Sequence, residues 1–103
     1  MLADVFSVSV LTGEDPTVTC SGEFDMAVAD RFREAVDEVL ATAPARVHLD
    51  CSGITFIDSL GLRALMHTDT RCRQKGIAMT ITMSPWMRRL FDTVGATQIF
   101  TLA

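Results

Sequence analysis

The sequence predicts an α/β fold, with a mixed β-sheet of four or five strands in the order β-β-α-β-α-β-α and with helices mainly on one face. Several short runs alternate between apolar and polar residues, which is typical of strands with one buried face. Longer stretches between these runs repeat apolar residues at helical spacing. Successive strand–helix–strand units make neighbouring strands parallel, and the alternation predicts that the other face of the sheet meets solvent.

The N-terminal part of the chain predicts a hairpin followed by a helix. Residues 5–11 and 17–21 both alternate, and the stretch between them contains Gly, Asp and Pro, so we expect two antiparallel strands joined by a turn. Asp25 is the predicted N-cap of the first helix, because its side chain can accept hydrogen bonds from free backbone N–H groups. Apolar residues recur at helical spacing over residues 28–40, and Pro44 ends this pattern.

The second half of the chain predicts two more strand–helix pairs. A third strand is predicted over residues 47–51, a fourth over residues 77–83, and a short last strand within residues 97–102. Ser84 and Pro85 provide an N-cap and a favourable first residue for the third helix. The residues expected on the inner faces of the second and third helices are Leu62, Leu65, Met66, Met87, Leu90, Phe91 and Val94.

Composition and charge restrict the class of protein. The 103 residues suffice for one domain with a buried core, which we expect over residues 1–103. Neither a membrane-spanning run nor a signal peptide is visible, so we expect a cytoplasmic protein without direct membrane insertion. A net charge of −4, with scattered Lys and Arg, argues against nucleic acid as a partner.

The cysteines and histidines do not form a recognisable catalytic or metal site. The three cysteines include no CxxC pair and are expected to be buried free thiols. His48 and His67 lack metal-ligand spacing, so we expect neither a metal nor a cofactor. A nucleophilic Ser59 would need a base within reach, and His67 lies about 12 Å further along the predicted helix. The G-x-S-x-G elbow and glycine-rich phosphate loops are absent, so we predict no catalytic residues and no enzymatic activity.

The segment from Asp58 to Gly61 is the candidate functional site. It joins an apolar strand to a helix, and Asp58 and Ser59 are both suitable N-cap residues. Ser59 is either such a cap or a phosphorylation site, where a phosphate would add a charge of about −1.5 to −2 beside Asp58. Gly61 either lets a partner approach closely or packs the helix against the chain beneath it.

Three motifs in this chain resemble those of a known family. Residues 49–62, which read LDCSGITFIDSLGL, closely resemble the signature of the STAS family, in particular of its bacterial anti-sigma factor antagonists. Residues 22–25 (Gly-Glu-Phe-Asp) resemble a second motif of that family, and residues 84–95 resemble a third. The resemblance implies a STAS-like fold, whose element order agrees with the one predicted above.

The resemblance also implies a switch protein that acts by binding partners. In such antagonists, the serine after the motif aspartate is phosphorylated by an anti-sigma factor that is also a serine kinase of the histidine-kinase-like ATPase fold. This serine corresponds to Ser59. The unphosphorylated form binds the kinase and so releases a sigma factor, and a PPM-type phosphatase reverses the modification. The residues expected at the docking surface are Asp25, Asp58, Leu60, Gly61, Leu62 and Arg63.

Two other functions are compatible with the same residues. Some STAS domains are accessory subunits of transporters or of lipid-transport ATPase complexes, and such a subunit would use this surface without phosphorylation. The chain could also be a structural domain in which Ser59 only caps a helix. Leu60 departs from the family pattern, which often has Ser or Thr there, and the difference is expected to affect which kinase binds.

Overall fold

The computed structural model describes residues 5–103, so the first four residues of the predicted domain lie outside the described part of the chain. Within residues 5–103, a four-stranded sheet is accompanied by three α-helices and a short 3-10 turn. These elements are β1 (Ser7–Leu11), β2 (Thr17–Phe24), α1 (Ala29–Leu40), β3 (Arg46–Ile57), α2 (Ser59–Gln74), β4 (Ala78–Met83) and α3 (Pro85–Val94). The strands lie in the order β1-β2-β3-β4. The β1–β2 pair is antiparallel and the other pairs are parallel, which confirms the predicted mixed sheet.

The hydrophobic core lies between one face of the sheet and the helices. Alternate residues of the strands point into it, among them Val18 of β2 and Leu49 of β3. Phe32 of α1, Leu65 of α2 and Phe91 of α3 belong to the same buried cluster. Burial of apolar side chains on one face of each element supplies the main stabilisation of such a fold.

The opposite face of the sheet is polar, as the alternation predicts. The ring of His48 lies there between two threonines of β4, with Nδ1 2.7 Å from Oγ1 of Thr80 and Nε2 3.0 Å from Oγ1 of Thr82. Asp50 accepts hydrogen bonds from the backbone N–H and the hydroxyl of Ser52 at 3.1 and 2.7 Å. The side chains on this face therefore hydrogen-bond to one another rather than to a covering helix.

Strand β3 is longer than predicted, because irregular pairing interrupts its alternation. The alternation predicts a strand that ends at Cys51, whereas the observed strand continues to Ile57. Ser21 of β2 pairs with Gly53, and register shifts occur on both sides of this stretch. An extra residue on one strand breaks the period of two on which the prediction was based, so residues 52–57 do not resemble a strand in the sequence.

Asp25 does not cap α1, contrary to the prediction. The helix begins at Ala29, and Val28 before it makes no side-chain capping hydrogen bond. Asp25 instead closes a turn ahead of the helix. Its Oδ1 accepts from the N–H of Ala27 at 3.0 Å, and its carbonyl oxygen accepts from the N–H of Val28 at 3.2 Å. The tendency of aspartate to bond nearby N–H groups is satisfied in this Asx-type turn rather than at the helix start.

Two apolar residues that were predicted for the core are exposed. The side chains of Met66 on α2 and Val94 on α3 are 37% and 58% exposed. Both lie at the edge of the apolar stripe of their helix, where helical spacing alone does not determine burial. The position of the neighbouring elements leaves these two side chains uncovered.

The predicted last strand is a 3-10 turn followed by one strand-like contact. The turn covers Thr97–Ile99, and Leu102 forms an isolated parallel bridge with Ile81 of β4. The N–H of Ile81 donates to the carbonyl of Thr101 at 3.0 Å, and its own carbonyl accepts from the N–H of Ala103 at 3.0 Å. This segment therefore extends the sheet at a single residue.

No helix within residues 5–103 combines the length and the apolar character that crossing a membrane requires.

Candidate functional site

The junction between β3 and α2 lies at the carboxyl end of the parallel strands. Strand β3 ends at Ile57, Asp58 has an extended backbone, and α2 begins at Ser59. The turn over residues 25–28, which follows the neighbouring parallel strand β2, lies beside it, since the N–H of Asp58 donates to the carbonyl of Phe24 at 3.2 Å. Two strand–helix connections therefore meet at the candidate site.

Asp58 holds this junction together with both oxygens of its carboxylate. Oδ1 accepts from the N–H of Leu60 at 3.0 Å and from the N–H of Gly61 at 2.8 Å. Oδ2 accepts from the N–H of Met26 at 3.1 Å, in the turn that precedes α1. The carboxylate thus satisfies N–H groups that lack partners within the helix, and its charge is favourable at the positive end of the helix dipole.

Ser59 is exposed and does not cap the helix. It is the first residue of α2, and Asp58 occupies the N-cap position. The side-chain hydrogen bonds formed among residues 5–103 do not include the Ser59 hydroxyl. The interpretation that Ser59 only caps a helix is therefore wrong, because the preceding aspartate performs that role and leaves the hydroxyl open to solvent.

Gly61 is buried beneath the surface that carries Ser59. A Cβ atom at this position would lie 2.6 Å from the carbonyl oxygen of Phe24 and 2.8 Å from Cγ1 of Ile57. Both distances are shorter than real contacts of that type allow. Of the two interpretations of this glycine, the structure favours tight packing of the helix start against the strands. Gly61 therefore lies under the predicted docking surface rather than on it.

The other residues of the predicted docking surface are accessible to different degrees. Arg63 is exposed, whereas Leu60, Leu62, Asp58 and Asp25 are half-buried. They all lie at the start of α2 or in the turn next to it, so the structure brings together the residues that the sequence predicts for one surface.

A groove between α1 and α2 continues from this junction, and the sequence does not predict it. Its volume is about 800 Å³, and Ser59 and Leu60 are among the residues that line it. We refer to it as the α1–α2 groove and define it by Met26, Ala29, Arg33, Leu60, Arg63 and Met66. The signal for it in the sequence is Met66, which lies at the edge of the apolar stripe of α2, but the separation of the two helices cannot be obtained from either helix alone.

The histidines and thiols are not placed to activate Ser59. His48 lies on the polar face of the sheet, opposite α2, and both of its ring nitrogens contact threonines. His67 is exposed on α2. The three cysteines are buried and free, as predicted. A hydrogen bond with Cys20, together with burial, raises the pKa of the Cys51 thiol well above its usual value, which keeps that thiol protonated and a poor nucleophile.

The described residues do not form an evident metal site. Within residues 5–103, no three His, Cys, Asp or Glu side chains are grouped in a way that could hold a metal ion. The junction instead presents an exposed hydroxyl, a carboxylate whose oxygens bond backbone N–H groups, and an apolar groove. Such an arrangement can accept a covalent group on Ser59 and can contact another protein.

Comparison with known proteins matches almost the whole described chain to one domain family. A family model described as "Mlab, STAS domain" matches residues 8–102. The anti-sigma-F factor antagonist RsfB of Mycobacterium tuberculosis is 28% identical over 85 residues, which cover 82% of this chain and 70% of the relative.

Solved structures show the same architecture. An anti-sigma factor antagonist from Mycobacterium paratuberculosis is 28% identical and superimposes with a TM-score of 0.79, covering 98% of this chain and 89% of the other. The Bacillus cell fate determinant SpoIIAA in its phosphorylated form is 20% identical with a TM-score of 0.66, covering 96% of this chain and 91% of the other. At this lower identity, the second match shows a shared fold alone.

Proposed function

Because this chain belongs to the STAS domain family, we propose that it is an anti-sigma factor antagonist and that Ser59 is its phosphorylation switch. The unphosphorylated form binds an anti-sigma factor that is also a serine kinase of the histidine-kinase-like ATPase fold, and a sigma factor is thereby released. Phosphorylation of Ser59 ends this binding, and a PPM-type phosphatase restores it. The protein acts in the cytoplasm as a binding protein rather than as an enzyme.

The observation that carries this proposal is the exposed hydroxyl of Ser59 at the start of α2. A kinase can transfer a phosphoryl group only to a hydroxyl that it can reach, and Ser59 is exposed while Asp58 provides the cap. Two relatives that are each 28% identical to this chain are named as antagonists of an anti-sigma factor. Both lines of support favour the same class of function.

The hydrogen bonds at the junction explain how a phosphate would switch binding off. A helix N-terminus ordinarily receives an anion through its free N–H groups, but Asp58 already accepts from those of Leu60 and Gly61. A phosphate on Ser59 would add a charge of about −1.5 to −2 beside this carboxylate. A docked partner would have to remove water from both charges, which is costly. About 1.4 kcal/mol suffices for a tenfold loss of affinity.

The proposed docking surface surrounds Ser59. Leu60 and Leu62 supply apolar contact area, Arg63 supplies an exposed charge, and Asp58 and Asp25 supply carboxylates at the junction and in the adjoining turn. Gly61 contributes indirectly, because it lets α2 begin close to the strands.

The test is phosphate transfer to a defined serine. The protein is incubated with ATP and with each small histidine-kinase-like ATPase of its source genome, and the products are followed by intact-mass spectrometry and peptide mapping. We expect one added phosphate, located on Ser59, and none on the Ser59→Ala variant. Ser52→Ala is the matched control, because Ser52 is also exposed and also lies near an aspartate, but its hydroxyl donates to Asp50 at 2.7 Å.

Binding measurements complete the test. Ser59→Ala should bind the kinase at least as tightly as the wild type, and the phosphorylated protein should bind at least about tenfold more weakly. Phosphate on another serine, or equal affinity of the two forms, would contradict the switch. A stable complex with a transporter ATPase, without phosphate transfer from any candidate, would instead identify an accessory subunit.

A further inference from the structure

The α1–α2 groove presents apolar side chains to solvent next to the switch residue. Met26 is 67% exposed and Met66 is 37% exposed, and both line the groove together with the half-buried Leu60. Exposed large apolar side chains that line one depression are typical of binding surfaces. Methionine side chains are flexible and polarisable, and they adapt to the shape of an apolar ligand.

Basic side chains line the same groove, although the chain as a whole is acidic. Its charge is −4, whereas three arginines and one aspartate line the groove. Arg33 is paired with Asp30, and Arg71 with Asp37 at 2.7 Å. Arg63 is exposed, and the ion pairs formed within residues 5–103 do not include it. Arg63 is therefore a cation that a partner's carboxylate can meet.

The opposite charge lies at the end of the groove that carries Ser59. Asp58 is the N-cap of α2, and Asp25 lies in the adjoining turn. Ser59 and Arg71 are separated by about 18 Å at the rise of an α-helix. The groove thus runs for about three helical turns from the acidic junction at Ser59 to the Arg71–Asp37 ion pair, and the exposed Arg63 lies between the two.

The backbone around the groove determines which type of segment fits. The groove is flanked by two α-helices, whose N–H and C=O groups are bonded within each helix. An extended segment would find no strand edge to pair with there and would leave its own backbone groups unpaired. A helix satisfies its own backbone and can place an apolar stripe in a groove between two helices.

We propose that the α1–α2 groove receives an amphipathic helix of the kinase partner, whose apolar stripe packs between Met26 and Met66 and whose acidic side chains meet Arg63. This inference rests on the proposed function, because the helix belongs to the same partner that phosphorylates Ser59. It adds the chemistry of the contact and a second set of residues that determines partner choice. Because Ser59 lies at the acidic end of the groove, its phosphate would repel the partner at one end of the docked helix.

The test combines substitutions in the groove with matched controls on α3. Met66→Lys should lower affinity for the ATPase at least about tenfold, as expected for the loss of a buried apolar anchor. Val94→Lys places the same charge on another exposed apolar residue and should leave affinity unchanged. Arg63→Glu should weaken binding and reduce its dependence on salt. Arg89→Glu, the same change at an exposed arginine of α3, should do neither.

The occupant is identified by photo-crosslinking in the Ser59→Ala background, where phosphate transfer to the switch residue is absent. Benzoylphenylalanine replaces Met66, and the crosslinked partner peptide is mapped by mass spectrometry. A helical peptide with acidic residues beside its apolar stripe is the expected product. A crosslink to a basic or extended segment, or no crosslink with any of the ATPases, would overturn the inference. So would a copurifying small molecule that native mass spectrometry detects and that Met66→Lys abolishes.

The two proposals can fail separately. If Ser59 is phosphorylated while Met66→Lys and Arg63→Glu bind like the wild type, the switch is correct and the groove contact is wrong. If the crosslink forms while no phosphate reaches Ser59, the groove contact is correct and the switch is wrong.

Discussion

The helices α2 and α3 both follow a parallel strand and both begin beside a serine, but they use that serine differently. Ser84 is the N-cap of α3; it is 4% exposed, and its hydroxyl oxygen accepts from the N–H of Met87 at 3.1 Å. At α2, Asp58 is the N-cap and the following Ser59 is exposed. At α3 the hydroxyl stabilises the helix. At α2 a carboxylate does so, and the hydroxyl remains available for modification.

The third residues of the two helices also differ, in the space available for a side chain. Met87 and Gly61 hold equivalent positions, and each donates its N–H to the cap side chain. Met87 is fully buried and fills the core, whereas Gly61 has the carbonyl oxygen of Phe24 where a side chain would start. The start of α2 is therefore packed closely against the strands on its buried side, while Ser59 on its outer side is exposed to solvent.

The largest effect that tests this difference is expected at Gly61. An alanine at an ordinary helix position is more stable than glycine by about 1 kcal/mol. Gly61→Ala should instead lower the free energy of unfolding by about 1–3 kcal/mol, because the added methyl group meets backbone that cannot easily move. Urea denaturation measures the change, and His67→Ala, on the exposed part of α2, should stay within about 0.5 kcal/mol. Equal or higher stability of Gly61→Ala would show that the helix start is not closely packed.

A smaller effect should separate the two serines. Ser84→Ala removes the cap of α3 and leaves the N–H of Met87 without its partner, so we expect a loss of about 1 kcal/mol in the free energy of unfolding. Ser59→Ala removes no capping bond and should change it by less than about 0.5 kcal/mol. Thermal and urea unfolding of both variants provide the measurement. A loss at Ser59 as large as the loss at Ser84 would show that Ser59 also supports its helix.

Much of the fold could be predicted because its signals are local. The N-cap and first residue of α3, Ser84 and Pro85, are adjacent in sequence and were assigned correctly. Apart from Asp25, whose side chain forms a local turn instead of a cap, the errors occur where a distant segment decides the structure. Strand β3 continues past Cys51 because β2 pairs with it through an irregular register. Met66 is exposed because it lies at the edge of the apolar stripe of α2, where the neighbouring elements decide whether a side chain is covered.

At the candidate site, too, local features could be predicted and contacts between distant segments could not. The position of Ser59 at a strand–helix junction follows from adjacent residues, and the structure places it there. The hydrogen bond from the N–H of Met26 to Asp58 joins residues that are 32 positions apart, and nothing local to either residue predicts it. The α1–α2 groove likewise depends on how two helices are spaced, so the sequence predicts the position of Ser59 but not the groove beside it.

The smallest expected change in stability concerns a third serine, Ser52, whose hydroxyl donates a hydrogen bond to an aspartate. Asp50 accepts from both the N–H and the hydroxyl of Ser52, and these bonds lower the pKa of the Asp50 carboxyl. A carboxyl whose pKa is lower in the folded state stabilises the fold above its unfolded pKa of about 3.9, and this contribution is lost as the pH falls through the folded value. Because Asp50 is only half-buried, Asp50→Asn should reduce stability at pH 7 by less than about 0.5 kcal/mol.

The pH dependence of the free energy of unfolding tests whether the ionised carboxylate of Asp50 stabilises its contact with Ser52. Urea midpoints of wild type and Asp50→Asn should differ slightly at pH 7 and should converge as the pH falls below about 4. Asparagine keeps an oxygen that can accept from Ser52, so the variant removes the charge and retains the contact. If the difference persisted at low pH, packing rather than the ionised carboxylate would account for it. Convergence would support the view that the aspartate beside each serine determines its availability: Asp50 binds the hydroxyl of Ser52, whereas Asp58 bonds backbone N–H groups and leaves Ser59 exposed.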